Sequence, residues 1–224
     1  MPRSIDYFIK ALAFTLVLSS CQVETITSTF YDGYDGYQYE ILSDEEPFWY
    51  DTGESLPVGI NYHSSNFLTK LQNGDIIYED TGGFGITGHI AIVEGIFYSD
   101  DFSQYYVRLI EAIDVGVSRS ILTPQRFEQK IDTAFRVENA TDEEIDGAIS
   151  FVVNQLGKPY EIALWKNADE SNPDWYCSEL VWAAYYHQGI LLDIDDNNNR
   201  GSAVLPKEMI QSPLVEQIHL SDSK

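Results

Sequence analysis

Basic residues are scarce in this 224-residue chain, which has 13 Lys and Arg against 36 Asp and Glu and a formal net charge of −23. Without a basic patch, the chain has little to replace the counterions of nucleic acid, so nucleic-acid binding is disfavoured. Attraction to an anionic membrane surface is disfavoured for the same reason. Hydrophobic residues make up 44% of the chain, which is enough for one sizeable core but hardly for two domains.

Histidine and cysteine are also rare, with four and two copies. No HExxH or CxxC pattern is present, which disfavours a zinc enzyme, and we expect neither a metal nor a cofactor. The segment DIDDNNNRG, residues 193–201, starts like an EF-hand loop but has Asn198 where that loop requires glycine. A solvated loop is the better interpretation, and a calcium-binding protein stays as an alternative.

The N-terminus has the pattern of a targeting segment. The apolar run ALAFTLVL, residues 11–18, is shorter than the roughly 20 residues that span a bilayer and suits a signal-peptide core. The LSSC that ends at Cys21 resembles the lipobox of bacterial lipoproteins, in which the cysteine is lipidated after cleavage. We therefore expect residues 1–20 to be a lipoprotein signal peptide, with an ordinary signal peptide as the alternative. A lipidated Cys21 cannot pair with Cys177, which is then a lone thiol outside the cytoplasm.

Residues 21–55 contain aspartate, glutamate and the local repeat YDGYDGYQY, but no lysine or arginine. Like charges and glycines favour an extended, solvated segment. We therefore expect an acidic tether over 21–55 and a single domain over residues 56–224. The aromatic residues of the tether leave open the alternative that part of it docks on the domain or on a glycan.

Within the domain, β-branched runs and turn residues predict about five strands over residues 74–138. Thr141 and Glu144 then form the pattern of a helix capping box. Three helices are expected, over residues 141–156, from about Asp174 to Gly189, and from Pro206. Strands followed by helices predict the α+β class.

Cys177 falls in the first turn of the second helix if Asp174 is its N-cap. Free backbone N–H groups and the helix dipole would then lower the pKa of the thiol and could hold an oxyanion. The alternative is a cysteine packed in the core, because Leu180 and Val181 follow at helical spacing and free cysteines are often buried.

A nucleophilic thiol needs a base and a group that orients the base. His89 opens a strongly apolar strand, where its ring could face a cleft or simply cap the strand. Glu111 lies inside the run RLIEAIDVGV, where a carboxylate is costly without a partner, and Glu94 has a similar position. The other histidines of the chain are His63, His187 and His219.

The segments NGDIIY, GHIAIV, IEA and YCSELVWAAY, in this order and spacing, resemble the YiiX/YebB/YycO-like group. These are circularly permuted papain-like cysteine hydrolases related to the NlpC-type peptidases, and the resemblance covers about residues 71–212. It implies an α+β fold with an antiparallel sheet of about five strands packed against helices, and a cysteine at a helix N-terminus. It also implies that Cys177 is the nucleophile, His89 the base and Glu111 the orienting acid. The oxyanion donors would include the Cys177 backbone N–H, with Tyr176 as a further candidate.

The resemblance implies a papain-like thiol peptidase or amidase that forms a thioester intermediate. NlpC-type relatives cleave cell-wall peptides, so we expect an amide bond of a peptidoglycan peptide as the substrate. The signal peptide implies an extracytoplasmic enzyme of the bacterial cell envelope, held at the membrane by lipid on Cys21. Two alternatives stay open, which are a lipid or acyl-ester hydrolase or acyltransferase on the same fold, and a non-catalytic binding domain. No oligomeric state is predicted.

Overall fold

The computed structural model of the protein describes residues 28–32, 38–42, 49–50, 67–83, 87–99, 104–122, 131–163, 165–194 and 200–220. The strands assigned in these ranges are β1 Ser28–Asp32, β2 Gln38–Leu42, β3 Trp49–Tyr50, β4 Ile76–Gly83, β5 Thr87–Ser99, β6 Gln104–Ile113, β7 Gly116–Leu122, β8 Ile131–Val137, β9 Trp165–Asn167, β10 Arg200–Ser202 and β11 Val215–Ile218. The helices are α1 Phe67–Lys70, α2 Asp142–Asn154, α3 Cys177–Tyr186 and α4 Pro206–Ile210. No helix among the described residues is long and apolar enough to cross a membrane.

The main sheet has the strand order β1-β2-β3-β7-β6-β5-β4-β8-β11. Its central strands β4 to β8 are the five strands predicted over residues 74–138, and they pair with one another in antiparallel fashion. β11 extends this antiparallel sheet at β8, and β9 and β10 form a separate two-stranded ribbon. The α+β class and the antiparallel sheet packed against helices are thus confirmed.

The expected tether contains three strands in the structure. β1 and β2 pair antiparallel, β2 pairs with β3, and β3 runs parallel to β7 at Trp49 and Arg119. The backbone of this segment therefore continues the sheet beyond β7. The domain division itself stays a prediction, and residues 1–20 with Cys21 lie outside the described residues.

Two apolar clusters form the core, one on each side of the central sheet. Successive side chains of β5 alternate between them, because the side chains of a strand point to opposite faces. Ile90 and Ile92 join the cluster that holds α3, whereas Ala91 and Val93 join the cluster that holds Phe67 of α1. The first cluster also holds Leu180 and Trp182 of α3, together with part of α2. The sheet face covered by α3 is therefore the one that positions Cys177.

The helices after the strands begin largely where the sequence predicts. Thr141 is the N-cap of α2, and Glu144 completes the capping box, as predicted. Pro206 is the first residue of α4, also as predicted.

The start of α3 differs from the prediction, because Tyr176 rather than Asp174 is its N-cap. Trp175 donates its backbone N–H to the carbonyl of Pro159, at 3.0 Å, and forms a parallel bridge with Tyr160. This pairing keeps residues 174–176 outside the helix, so the cap preference of the aspartate is overridden by tertiary contacts. Cys177 is consequently the first residue of α3.

Candidate active site around Cys177

The N-terminus of α3 presents the Cys177 thiol. Tyr176 has an extended backbone, with φ −104° and ψ 164°, and its side chain makes no capping hydrogen bond. The N–H groups of the first turn point away from the helix body, toward any negative charge at this end. Cys177 is buried, with 8% of its surface exposed, and is the free cysteine among the described residues.

His89 and Glu111 reach each other across two neighbouring strands. The paired register of β5 and β6 runs from Ser99 and Gln104 to Ile92 and Ile110, and His89 lies beyond its end. There the His89 Nε2 lies 2.5 Å from the Glu111 Oε2. Both side chains are buried, at 4% and 1% exposure. A short contact of this kind in a buried setting is a charge-assisted hydrogen bond when the imidazole donates to a carboxylate.

The Cys177 thiol contacts the pair of His89 and Glu111 through the His89 ring. Its sulfur is hydrogen-bonded to the His89 side chain and accepts the backbone N–H of Ile90. Because Glu111 occupies the His89 Nε2, the Nδ1 is the ring nitrogen left for the thiol. The structure therefore brings the three side chains named from the sequence, Cys177, His89 and Glu111, into one hydrogen-bonded chain.

The pKa values of the thiol and the imidazole shift in the directions that favour an ion pair. Burial raises the pKa of Cys177, but hydrogen bonding and charge from His89, with the Ile90 N–H, outweigh it and leave that pKa below its usual value. Burial lowers the pKa of His89, but hydrogen bonds to Cys177 and Glu111 raise it to about 10. Both shifts favour a thiolate beside an imidazolium over the neutral pair.

A serine that the sequence analysis did not single out completes the arrangement. The Ser120 hydroxyl of β7 donates to the Glu111 Oε1, so that both oxygens of this carboxylate are engaged. Ser118 and Ser120 are alternate residues of a strand that is otherwise largely apolar. This alternation of polar residues was the available signal, but the contact depends on the register between β6 and β7.

The two residues that flank Cys177 both bind the backbone of Val204. The Ser178 hydroxyl donates to the Val204 carbonyl at 2.8 Å, and the Val204 N–H donates to the Tyr176 hydroxyl at 3.0 Å. These two bonds fix the start of α3 against the segment that leads into α4. The Tyr176 hydroxyl is thus engaged with Val204, and its part in an oxyanion hole stays a prediction.

Glu179 is a second buried acid near the start of α3. Its carboxylate accepts the Asn167 N–H at 2.7 Å, which ties the helix to β9. Burial raises its pKa to about 7, although the hydrogen bonds from the backbone of Asn167 and Tyr176 act in the opposite direction. The carboxyl group therefore changes charge near neutral pH.

The other candidates from the sequence lie in different surroundings. Glu94 is engaged by Arg108 and Arg119, with bonds of 2.6 to 3.1 Å. His187 is the C-cap of α3, and its Nε2 lies 2.6 Å from the Ala168 carbonyl oxygen. The carbonyl of His219 accepts from Lys70, and residue 63 lies outside the described residues. None of these contacts links Glu94, His187 or His219 to the hydrogen-bonded group of Cys177, His89 and Glu111.

Asp193 begins the EF-hand-like segment. Residues 195–199 lie outside the described residues, and the carboxylate of Asp193 is paired with the buried Lys166. No group of three or more His, Cys, Asp or Glu side chains among the described residues is arranged to hold a metal ion.

The fold and this geometry define a class of protein, the permuted papain-like cysteine hydrolases, in which the strands that carry histidine precede the cysteine helix. Residues 70–219 match the model of a family described as permuted papain-like amidase enzyme, YaeF/YiiX, C92 family. The match covers more than half of the chain, and the chain belongs to this family. It is therefore a papain-like cysteine amidase or peptidase, as the sequence predicts.

A solved structure is also similar to the chain. The crystal structure of the metalloprotein yiiX from Escherichia coli O157:H7 is similar, with 16% identity and a TM-score of 0.46. That similarity covers 68% of this chain and 98% of the other. The curated proteins contain no match to the chain.

Proposed function

We propose that the protein is an extracytoplasmic amidase that hydrolyses peptide bonds of cell-wall peptides, with Cys177, His89 and Glu111 as its catalytic residues. The observation that carries this proposal is the buried hydrogen-bonded chain from the Cys177 thiol through His89 to Glu111. A thiol, a base and a group that orients the base are the parts required for nucleophilic acyl transfer.

The chemistry runs in two halves. The Cys177 thiolate attacks the carbonyl carbon of the amide, and the backbone N–H groups at the start of α3 stabilise the oxyanion that forms. The His89 imidazolium then gives its proton to the leaving amine as the carbon–nitrogen bond breaks, which leaves a thioester on Cys177. Water, deprotonated by the now neutral His89, attacks this thioester and releases the carboxylic acid and the thiolate.

Glu111 acts through His89. Its carboxylate fixes the ring orientation and stabilises the positive charge that the imidazole carries in the resting site. Because Glu111 is only 1% exposed, water does not screen this interaction.

The substrate and the location follow from the sequence. Lipid on Cys21 would hold the enzyme at a bacterial membrane, outside the cytoplasm. Cell-wall peptides are then within reach, and peptidoglycan is the partner we assign. No nucleic acid is expected as a partner, since the chain carries 36 acidic and 13 basic residues.

A second candidate function is hydrolysis or transfer of an acyl ester. It is favoured by two exposed apolar side chains, Ile162 at 72% and Trp165 at 64% exposure. Their segment begins beside Trp175, to which Tyr160 is bridged, two residues before Cys177. Exposed apolar side chains in this segment would suit a substrate with an acyl chain.

The test compares the two substrate classes directly. The full-length protein is incubated with peptidoglycan stem peptides and, separately, with acyl esters, and release of new amino groups or of free acid is followed. The proposal expects amine release that is abolished in Cys177→Ala, and a thioester on the peptide containing Cys177 by mass spectrometry. Ester turnover alone would favour the second candidate. Amine release unaffected by Cys177→Ala would contradict both.

A further inference from the structure

The Glu111 carboxylate is held from two sides. Its Oε2 contacts His89 at 2.5 Å, and its Oε1 accepts the hydroxyl of Ser120 from β7. Glu111 lies on β6 and is therefore placed between the strand of His89 and the strand of Ser120. The hydrogen bonds that start at Cys177 thus extend through His89 and Glu111 to a serine.

The contact with Ser120 is selective within β7. Ser118 is the residue directly opposite Glu111 in the ladder of β6 and β7, yet its hydroxyl donates to the Gly116 carbonyl at 3.3 Å. Ser120 stands opposite Leu109, two positions along the ladder, and reaches Glu111 diagonally on the same face. Both serines are buried, at 0% and 6% exposure. Two similar serines on one strand therefore differ in whether they bind the carboxylate.

A buried carboxylate depends on its hydrogen-bond donors, because transfer of the charge from water is costly without them. His89 and Ser120 each supply a donor to Glu111. The Ser120 hydroxyl also restricts rotation of the carboxylate, since a donor on Oε1 leaves Oε2 facing the imidazole.

We propose that Ser120 is a positioning residue of this site, whose hydroxyl keeps the Glu111 carboxylate directed at His89. This inference rests on the proposed function, in which Glu111 supports the His89 imidazolium and hence the Cys177 thiolate. Without the hydroxyl, Glu111 holds the imidazolium less strongly, and the thiolate is lost at a higher pH than in the wild type.

The test uses alkylation by iodoacetamide, which needs no substrate. The full-length protein is treated at pH 5 to 10, and mass spectrometry of the peptide that contains Cys177 separates its reaction from that of Cys21. Loss of a hydrogen bond to a charged group predicts that the profile of alkylation rate against pH lies about one pH unit higher for Ser120→Ala than for the wild type. Ser118→Ala, the matched control, is expected to keep the wild-type profile of rate against pH.

A second pair of variants separates the hydroxyl from packing. Ser120→Thr retains a hydroxyl. Ser120→Val introduces a side chain of nearly the same shape as threonine but without the hydroxyl. We expect the threonine variant to keep the wild-type pH profile and the valine variant to lose it. This comparison holds even if the alanine variant does not fold, because the two larger side chains have the same volume.

The outcomes separate this inference from the proposed function. If the alkylation rate of the wild type rises only near the usual thiol pKa and is unchanged by His89→Ala, the proposed function fails and the inference fails with it. If the wild type depends on His89 but Ser120→Ala and Ser120→Val keep its pH profile, only the inference is overturned. An equal shift in Ser118→Ala would also overturn it, since any buried serine would then have the same effect.

Discussion

The His89 Nε2 lies 2.5 Å from the Glu111 Oε2, and both side chains are almost fully withdrawn from solvent. The two residues belong to adjacent strands and meet just where the pairing of these strands has ended. The same imidazole is hydrogen-bonded to Cys177, which lies on the helix α3. One ring thus couples a buried carboxylate to a buried thiol, and the charge of each partner influences the other.

Replacement of Glu111 by glutamine tests this coupling. Glu111→Gln keeps the shape of the side chain but removes the negative charge, so the His89 imidazolium loses a stabilising partner. We expect turnover to fall by about 100-fold or more, because the base is no longer held in its correct form. Glu94→Gln is the control, since Glu94 lies on β5 and contacts arginines instead. Equal turnover losses in the two variants would contradict a specific role for Glu111.

Turnover should decline at high pH, because His89 loses its proton there. Its pKa of about 10 means that the imidazolium, which protonates the leaving amine, disappears above this pH. We therefore expect kcat/KM to decline above about pH 10, while alkylation of Cys177 does not, because alkylation needs only the thiolate. Circular dichroism at each pH shows whether the fold persists. Turnover that keeps rising in parallel with alkylation would contradict the assignment.

Glu179 should make stability depend on pH. Its folded pKa of about 7 lies above the ordinary value of 4.5, chiefly because of burial. An acid with a raised pKa contributes stability that is present below pH 4.5 and is lost as the pH rises through about 7. Relative to the wild type, Glu179→Gln should therefore gain on the order of 2 kcal/mol between pH 4.5 and 8. Urea unfolding measures the difference, and a difference that is constant with pH would refute the interpretation.

Removing one member of the buried pair of Lys166 and Asp193 should lower the free energy of unfolding more than replacing both members with apolar residues. Both side chains are nearly inaccessible, and Lys166 also lies over the ring of Trp182, 4.9 Å from its centroid. Asp193→Ala leaves a buried ammonium without this carboxylate and should cost about 3–5 kcal/mol of unfolding free energy. The double variant Lys166→Met, Asp193→Leu should cost clearly less. Equal losses in urea unfolding would show that the charges do not determine the effect.

The strands and the polar residues inside apolar runs could be identified from the sequence, whereas the roles of Cys177, His89 and Glu111 rested on the resemblance to a family. β-branched runs and turn residues give the strands, and His89 and Glu111 are polar residues inside apolar strands, where each needs a partner. The first residue of α3 was not predictable in this way, because the pairing of Trp175 with Pro159 and Tyr160 overrides the cap preference of Asp174.

The supporting contacts were not predictable from local pattern. The choice between Ser118 and Ser120 as the partner of Glu111 depends on register and side-chain direction between β6 and β7. Ser178 binds the backbone of Val204, 26 residues further along the chain, and no propensity or spacing specifies such a contact. Tertiary structure alone brings these groups together.

The rate of Cys177 alkylation as a function of pH, measured for the wild type and for His89→Ala, tests the central claim most directly. Reaction at Cys177 is followed by mass spectrometry of its own peptide, so Cys21 does not interfere. The account predicts that the wild type reacts as a thiolate well below the usual thiol pKa of about 8.5, and that His89→Ala does not. A rate that rises only near that pKa in both proteins would contradict an activated thiol and leave a non-catalytic domain as the better explanation.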